Sequence, residues 1–271
     1  MKLTVLGRYG PFPAPGGACS SYLLEAPAVP GKNGKHDKKV KLVIDLGSGG
    51  LSRLVSVCPL SEIDAILLSH LHSDHMSDML VLRYALQLLP KKGVDVPVPL
   101  HVVAPGTPET EFRMLSSAGT FDMVKMEDGM KLRFGSLSVT LHHMLHPVPS
   151  YAMDFLEEEP PRPPAYGEDV PQKRLVYTGD TCYNERLAPL CRNATVLLAD
   201  TGLLAKEKTT EFVPHLTARE AGEIARKAGV GRLLCTHLWG GGGIIEDLVL
   251  REAQEAFPAA EVVQEMMTYE I

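Results

Sequence analysis

Several protein classes are argued against by what this sequence lacks. Its five cysteines, Cys19, Cys58, Cys182, Cys191 and Cys235, are odd in number, lie far apart and form no C-x-x-C pair. That argues against a disulfide framework or a cysteine-rich zinc module, and for a reducing compartment. No apolar run approaches the roughly 18 residues that a membrane span needs. The opening segment Met1 to Gly7 is too short, and too soon interrupted by Gly and Pro, for a signal peptide. A cytoplasmic location is expected. An excess of basic charge is also lacking: 27 Lys and Arg stand against 33 Asp and Glu, a net charge of −6. The molecule as a whole therefore offers no electrostatic attraction to nucleic acid or to an anionic membrane, although a local basic patch stays open. What remains is an ordinary globular composition, 45% hydrophobic and 22% charged, in 271 residues, enough to bury a substantial core.

Histidine, by contrast, is concentrated. Of 10 in the chain, three fall within Ser69-His70-Leu71-His72-Ser73-Asp74-His75. This stretch follows the apolar run Ala65 to Leu68 and precedes an apolar-periodic segment from Met76 to Leu89. Three imidazoles and a carboxylate thus share a strand-to-helix turn, where one ion can be reached by several side chains. Neutral imidazole nitrogen and carboxylate oxygen suit Zn²⁺ and related divalent ions. Clustered histidines can also form a solvated loop. The interleaved Asp74 and the buried-looking strand before it favour a metal site.

In chain order, strands are expected at Leu3–Leu6, Ser20–Glu25 and Val40–Leu46, then a short helix at Leu51–Val57. Residues 30–39 carry turn chemistry and four lysines, either a solvated hairpin tip or a basic finger that contacts phosphate. Val98–Ala104 reads as a strand, after which Thr107 is placed to cap a helix reaching Ala118. Met130–Phe134 and Leu137–Met144 form a hairpin about Gly135-Ser136. Residues 154–173, rich in Pro and acidic side chains, read as a surface loop. Further strands are expected at Arg174–Thr178, Thr195–Asp200, Arg232–Thr236 and Glu261–Gln264. Helices are expected at Thr217–Lys227 and Glu246–Ala256. With no internal repeat and no long linker, residues 1–271 read as a single α/β domain of stacked layers.

Four polar residues recur in one local context, just past the end of an apolar strand: His146, Asp180, Asp200 and His237. The turn at 70–75 stands in the same place relative to its own strand. Each instance alone is weak, since a lone histidine after a strand is more often a core or loop residue. Five together point to one sheet edge where rigid elements position ligands.

On these residues the chain resembles a known family. His70-x-His72-x-Asp74-His75, followed in order by His146, Asp180 and His237, resembles the metallo-β-lactamase superfamily, and within it the ribonuclease Z-like metal-dependent phosphodiesterases. The resemblance runs from the first strand through His237. It implies an α/β fold, a four-layer αββα sandwich with a dinuclear metal site at one edge of the sheets. His70, His72 and His146 would hold one ion, Asp74, His75 and His237 the other, and Asp180 would bridge them. The implied cofactors are two divalent ions, Zn first, with Mn or Fe as alternatives. A bridging water, acidified toward pKa ~7, would supply the hydroxide for attack on phosphorus or carbonyl. The resemblance also implies a homodimer and no membrane association.

The same resemblance bears on catalysis, to which it assigns Asp74, His215 and Asp200. Pro214-His215-Leu216-Thr217 opens the helix at 217–227, and in ribonuclease Z-like enzymes a histidine here, paired with an acid after the preceding strand, is thought to protonate the leaving alkoxide. His215 and Asp200 match those places. The bland alternative leaves His215 as a residue that merely precedes a helix capped by Thr217. The family usually shows Glu where this chain has Asp200, which puts the reach of the side chain in doubt. Enzymes that process tRNA 3′ ends carry a long basic arm between the positions of His146 and Asp180. Here residues 147–179 number only 33, and Asp154 to Asp169 includes Glu157-Glu158-Glu159, Glu168 and four prolines. The arm is expected to be absent, and an acidic segment repels phosphate.

The expected substrate is therefore a small phosphodiester, a cyclic nucleotide or a short oligonucleotide. One alternative is a tRNA endonuclease that uses Lys32–Lys41 in place of the arm. Others are a lactonase-type hydrolase on the same metals, or a non-catalytic metal-binding sensor, whose mark would be a lost ligand. His142 and His143 alternate across a strand, so at most one can face the site, and His101 has no visible partner. Trp239 and Gly240 to Gly243 follow His237 directly, as a mobile rim or as a plain loop.

Overall fold

Most strands here bury both faces, so their side chains alternate between two apolar environments instead of between core and water. In β2 (Ser21–Ala26), Tyr22 and Leu24 enter one core while Leu23 enters another. The same alternation separates Leu42 and Ile44 from Val43 in β3 (Val40–Leu46). The computed structural model describes residues 1–27, 39–158, 173–210, 212–240 and 243–271.

The first sheet contains β1 (Lys2–Gly7), β2 and β3, then β4 (Ala65–Leu67), β5 (Leu100–Ala104) and β6 (Phe121–Lys125). Three helices pack on its outer face: α1 (Gly50–Val57), α2 (Ser73–Leu88) and α3 (Glu109–Ser116). The second sheet begins with β7 (Lys131–Phe134), β8 (Leu137–Met144), β9 (Ser150–Glu157) and β10 (Arg174–Tyr177). After the short α4 (Leu187–Leu190) come β11 (Val196–Asp200), α5 (Ala218–Ala228), β12 (Arg232–Thr236), α6 (Gly243–Ala256) and β13 (Ala260–Val262). The last strand, β14 (Thr268–Glu270), returns to the first sheet and pairs with β1. The strand orders are β14-β1-β2-β3-β4-β5-β6 and β13-β12-β11-β10-β9-β8-β7. One core lies between the sheets and two more lie under the helices, which is the four-layer αββα sandwich. Among the described residues no helix is long and apolar enough to cross a membrane.

Strand direction decides where the site forms. β8 and β10 are each antiparallel to β9, and β10, β11 and β12 are mutually parallel. The C-terminal ends of β8, β10, β11 and β12 therefore share one edge. β3, β4 and β5 are likewise parallel in the first sheet. Polar residues after these strands converge there, as is general for α/β sheets.

Three strands, β6, β9 and β14, were not expected. β9 falls partly in the stretch read as a surface loop. Its register on β8 sends Tyr151, Met153 and Phe155 into the core between the sheets, while Asp154 forms a two-point ion pair with Arg174. The acids and prolines that follow mask this short alternation. Thr107 does not cap α3; the cap position is Pro108, with no side-chain bond. Thr217 does cap α5: its hydroxyl accepts from Glu220 N at 3.1 Å, and the Glu220 carboxylate accepts from Thr217 N at 3.0 Å. Of the lysine-rich stretch 30–39, residues 30–38 lie outside the described residues, as do 241 and 242 of the glycine run.

Candidate metal centre

The turn after β4 aims its side chains by a change of geometry. His70 leaves the strand end, His72 occupies the cap position of α2, and Asp74 and His75 sit in the helix's first turn. His70 and His75 are fully buried and Asp74 nearly so. His146, Asp180 and His237 arrive from the ends of β8, β10 and β12. The result is three groups: His70, His72 and His146; beside them Asp74, His75, Asp180 and His237; and, overlapping the second, Asp180, Asp200, His215 and His237.

The spacing within each of the first two groups is that of ligands around an ion. His72 Nδ1 lies 3.1 Å from His70 Nε2 and 3.2 Å from His146 Nε2. His237 Nε2 lies 3.2 Å from Asp74 Oδ2 and 3.1 Å from Asp180 Oδ2, and His75 Nε2 is 3.5 and 3.4 Å from the same two oxygens. A tetrahedral ion with bonds of about 2.0–2.1 Å separates its ligand atoms by about 3.3–3.4 Å. Asp180 Oδ2 is also 3.6 Å from His70 Nε2, so one carboxylate oxygen faces both of these groups.

Hydrogen bonds behind the rings orient them, and although burial disfavours its charged form, Asp180, Asp45 and Asp74 lift the pKa of His75 well above the usual imidazole range. His146 Nδ1 donates to the Pro214 carbonyl at 2.9 Å, and His75 Nδ1 donates to Asp45 Oδ2 at 2.8 Å. Ser69 Oγ donates to Asp45 and can then accept from His70 Nδ1 at 3.1 Å. Burial lowers the pKa of His72 and His146, and burial with the neighbouring His75 holds His70 well below the usual imidazole range. Burial alone would raise Asp180, but His237, His75 and His70 outweigh it and hold it well below the carboxylate range. His75 Nε2 and Asp180 Oδ1 are buried with no hydrogen-bond partner, as is His237 Nδ1. A native interior rarely leaves such atoms unsatisfied unless an ion or water completes them. The donor set fits divalent metal.

Beside the second group, His215 Nδ1 lies 3.0 Å from Asp200 Oδ2 and 3.7 Å from Asp180 Oδ2. Asp200, fully buried at the end of β11, also accepts from Gly202 N at 2.9 Å, which fixes its carboxylate plane. The shorter side chain reaches because the strand end itself delivers it. Burial disfavours the charged form of His215, but Asp200 outweighs this and lifts its pKa to about 9. The His215 ring stacks on His237 at 4.9 Å.

This geometry spans the part of the chain that known proteins share. Residues 45–238 match the family model described as the β-lactamase superfamily domain. The chain belongs to that superfamily. A probable metallo-hydrolase, YhfI of Bacillus subtilis, is 30% identical over 260 residues, 95% of this chain and 94% of that one. The crystal structure of YhfI, a metallo-β-lactamase fold protein, aligns over 99% of both chains with a TM-score of 0.80 and 29% identity. A ribonuclease Z of Brevibacillus brevis is 25% identical over 275 residues, 83% of this chain and 85% of that one. A diphosphatase of the PhnP family, at 16% identity and a TM-score of 0.62, aligns over 100% of this chain and 97% of that one and shares the fold.

Within this β-lactamase superfamily site, sequence reading passed over Asp45, where the family match begins. It is fully buried and accepts hydrogen bonds from Ser69 N at 2.6 Å, Ser69 Oγ at 2.8 Å, His75 Nδ1 at 2.8 Å and Tyr177 OH at 2.8 Å. Asp45 and His237 both hold left-handed backbone, φ 52 and 58. Such conformations in non-glycine residues cost of order 1–3 kcal/mol and concentrate at functional sites. The available signal was an acid in the last turn of an apolar strand, the same signal used for Asp200. Asp45→Asn is expected to weaken metal affinity by about 10–100-fold, the usual cost of losing a ligand's outer partner. Competition with a chromophoric chelator measures it, and unchanged affinity would assign Asp45 to folding alone.

Other histidines stay outside the groups. His143 contacts the Tyr151 ring, and His142 is half-buried with no hydrogen bond from its Nε2. His101 does have a partner, Asp122 Oδ2 at 3.2 Å, supplied by the unexpected β6. Gly10 passes directly against His237; a Cβ there would lie 1.9 Å from Nε2. Trp239 is half-exposed and meets the exposed Phe12 edge to face, with ring centroids 6.0 Å apart.

Proposed function

We propose that the chain is a metal-dependent phosphodiesterase acting on small phosphodiesters, cyclic nucleotides or short oligonucleotides. The observation that carries the reading is the paired donor set around Asp180, with His215 hydrogen-bonded to Asp200 at its side. His70, His72 and His146 would hold one divalent ion and Asp74, His75 and His237 a second, with Asp180 between them. Zn²⁺ suits these ligands first, with Mn²⁺ or Fe as alternatives. Bound ions would supply an acidified water and neutralise charge on the reacting oxygens. As the bond from water to phosphorus forms and the ester P–O bond breaks, His215 delivers its proton to the departing alkoxide. Asp200 holds that imidazole oriented and charged. Asp74 would serve both as a ligand and in placing His237, whose Nε2 it faces. The test is hydrolysis of bis-p-nitrophenyl phosphate by Zn²⁺- or Mn²⁺-loaded protein. If every phosphodiester is inert to the loaded protein, the reading fails.

The short interval 147–179 supports a small substrate, but for a different reason than its charge. β9 takes eight of these residues, and Glu157 and Lys173, which flank the acidic stretch, lie at the sheet edge opposite the metal centre. Glu157 neutralises the N-terminal ammonium at 2.6 Å. Residues 159–172 of the acidic stretch lie outside the described residues, so the support drawn from this interval is its length, too short for an arm. The similarity to a ribonuclease Z keeps tRNA cleavage as the second reading. Lys41, from its supposed basic finger, is engaged by Glu62 at 2.6 Å and Glu25 at 3.7 Å. We also propose a homodimer, supported by exposed Val81, Tyr84 and Leu88 on α2. Light scattering at twice the mass of one chain is the expected result, and a monomer would refute it.

A further inference from the structure

A cavity of about 360 Å³ opens beside the metal centre, between the turn that follows Asp200 and the start of α6. Leu203, Leu204, Ile245 and Val249 form its apolar walls, and the half-exposed indole of Trp239 completes it. Its floor is Gly202, one backbone step from the dyad. A Cβ on Gly202 would stand 3.2 Å from Asp200 Oδ1 and from His237 Nδ1, and 3.3 Å from the His215 ring. Gly202 is therefore common to the cavity lining and to the surroundings of Asp200, His215 and His237.

Four properties define what fits. The volume is at the small end of ligand sites, matching a ring system and not a chain of nucleotides. The walls are apolar, so a phosphate gains nothing there. Among the described residues Glu207 is the one charged group lining the cavity; its Oε2 accepts from Leu204 N at 2.7 Å, and its Oε1 has no hydrogen-bond partner among them. A free carboxylate oxygen repels anions and accepts from a ring N–H or an amino group. An indole offers a flat face for stacking.

We propose that this cavity is the subsite for the heteroaromatic base of a nucleoside phosphodiester, with Trp239 stacking on the base and Glu207 accepting from one of its N–H groups. The inference rests on the phosphodiesterase reading above and narrows it to substrates that carry a base. Trp239 thereby becomes a specificity-determining residue.

Trp239 is the only tryptophan in the chain, so its emission reports on this cavity directly. Adenosine 5′-monophosphate added to the metal-loaded protein is expected to quench that emission saturably, while ribose 5-phosphate, which lacks the base, leaves it unchanged. Equal responses, or none to the nucleotide, overturn the proposal. A kinetic arm uses thymidine 5′-(p-nitrophenyl phosphate) and methyl p-nitrophenyl phosphate, which release the same phenolate and differ only in the group retained. The wild-type protein is expected to prefer the thymidine ester by about tenfold or more, within the range for a base stacked on an aromatic ring. Trp239→Ala, which removes the stacking face, and Val249→Phe, which fills the cavity, should each bring that preference toward one. A preference that survives both variants also overturns it. If neither ester is hydrolysed, the phosphodiesterase reading fails, and quenching by the nucleotide still decides the subsite.

Discussion

Asp180→Asn is expected to lower phosphodiester turnover by about 10³-fold or more, beyond the ~10–100-fold that losing a ligand's outer partner costs. The substitution keeps shape and burial and removes only the charge. That charge is central because Asp180 Oδ2 lies within 3.6 Å of Nε2 of His70, 3.4 Å of His75 and 3.1 Å of His237. Asp74 Oδ2, by contrast, lies against His75 and His237 of the second group. Without the Asp180 charge, two ions close together would face each other with less anionic charge between them. Metal analysis of the purified variant should therefore show fewer ions per chain than the wild type, alongside the lost turnover. Full metal content with full turnover would remove Asp180 from the site.

The second large effect is selective. His215→Ala is expected to slow esters with alkoxide leaving groups by about 10²–10⁴-fold, the usual contribution of a positioned general acid. p-Nitrophenyl esters, whose leaving group departs without a proton, should lose less than about tenfold by the same reasoning. The geometry asks for this contrast: His215 is tethered to Asp200 at 3.0 Å, outside the His70, His72 and His146 group, and its pKa of about 9 leaves the ring protonated at neutral pH. Asp200→Asn should reproduce the pattern in weaker form, because it keeps the hydrogen-bond geometry and removes the charge that sustains the proton. Equal losses on both ester types would make His215 a structural residue, and no loss on either would leave it without a role.

How far the chain could be read without coordinates depended on the range of the forces involved. The strand-end pattern of His146, Asp180, Asp200 and His237 is local, and the pairing of β8 and β10 with β9, and of β10, β11 and β12 in parallel, carries these ends to one edge. Asp45 obeys the same pattern and was not singled out, because its partners Ser69, His75 and Tyr177 come from distant parts of the chain. β9 was hidden by the acids and prolines after it, although Tyr151, Met153 and Phe155 carry the alternation of a buried strand. β14 exists only through its pairing with β1, and three residues with one buried side chain give no periodicity to read. β6 is similar, with a single buried Phe121. The reach of Asp200 was a matter of backbone position, which composition does not contain. The cavity under Trp239 joins the turn after β11 to α6, so no local pattern announced it.

We propose that seven side chains form one site for two ions that act together. The most direct test of this claim is a titration of metal-free protein with Zn²⁺, following bound metal and hydrolysis of bis-p-nitrophenyl phosphate in the same samples. Activity is expected to rise until two equivalents are bound per chain and then to level off, with chelation reversing it. Activity complete at one equivalent, or two equivalents bound with no hydrolysis of this or any other phosphodiester, would contradict it.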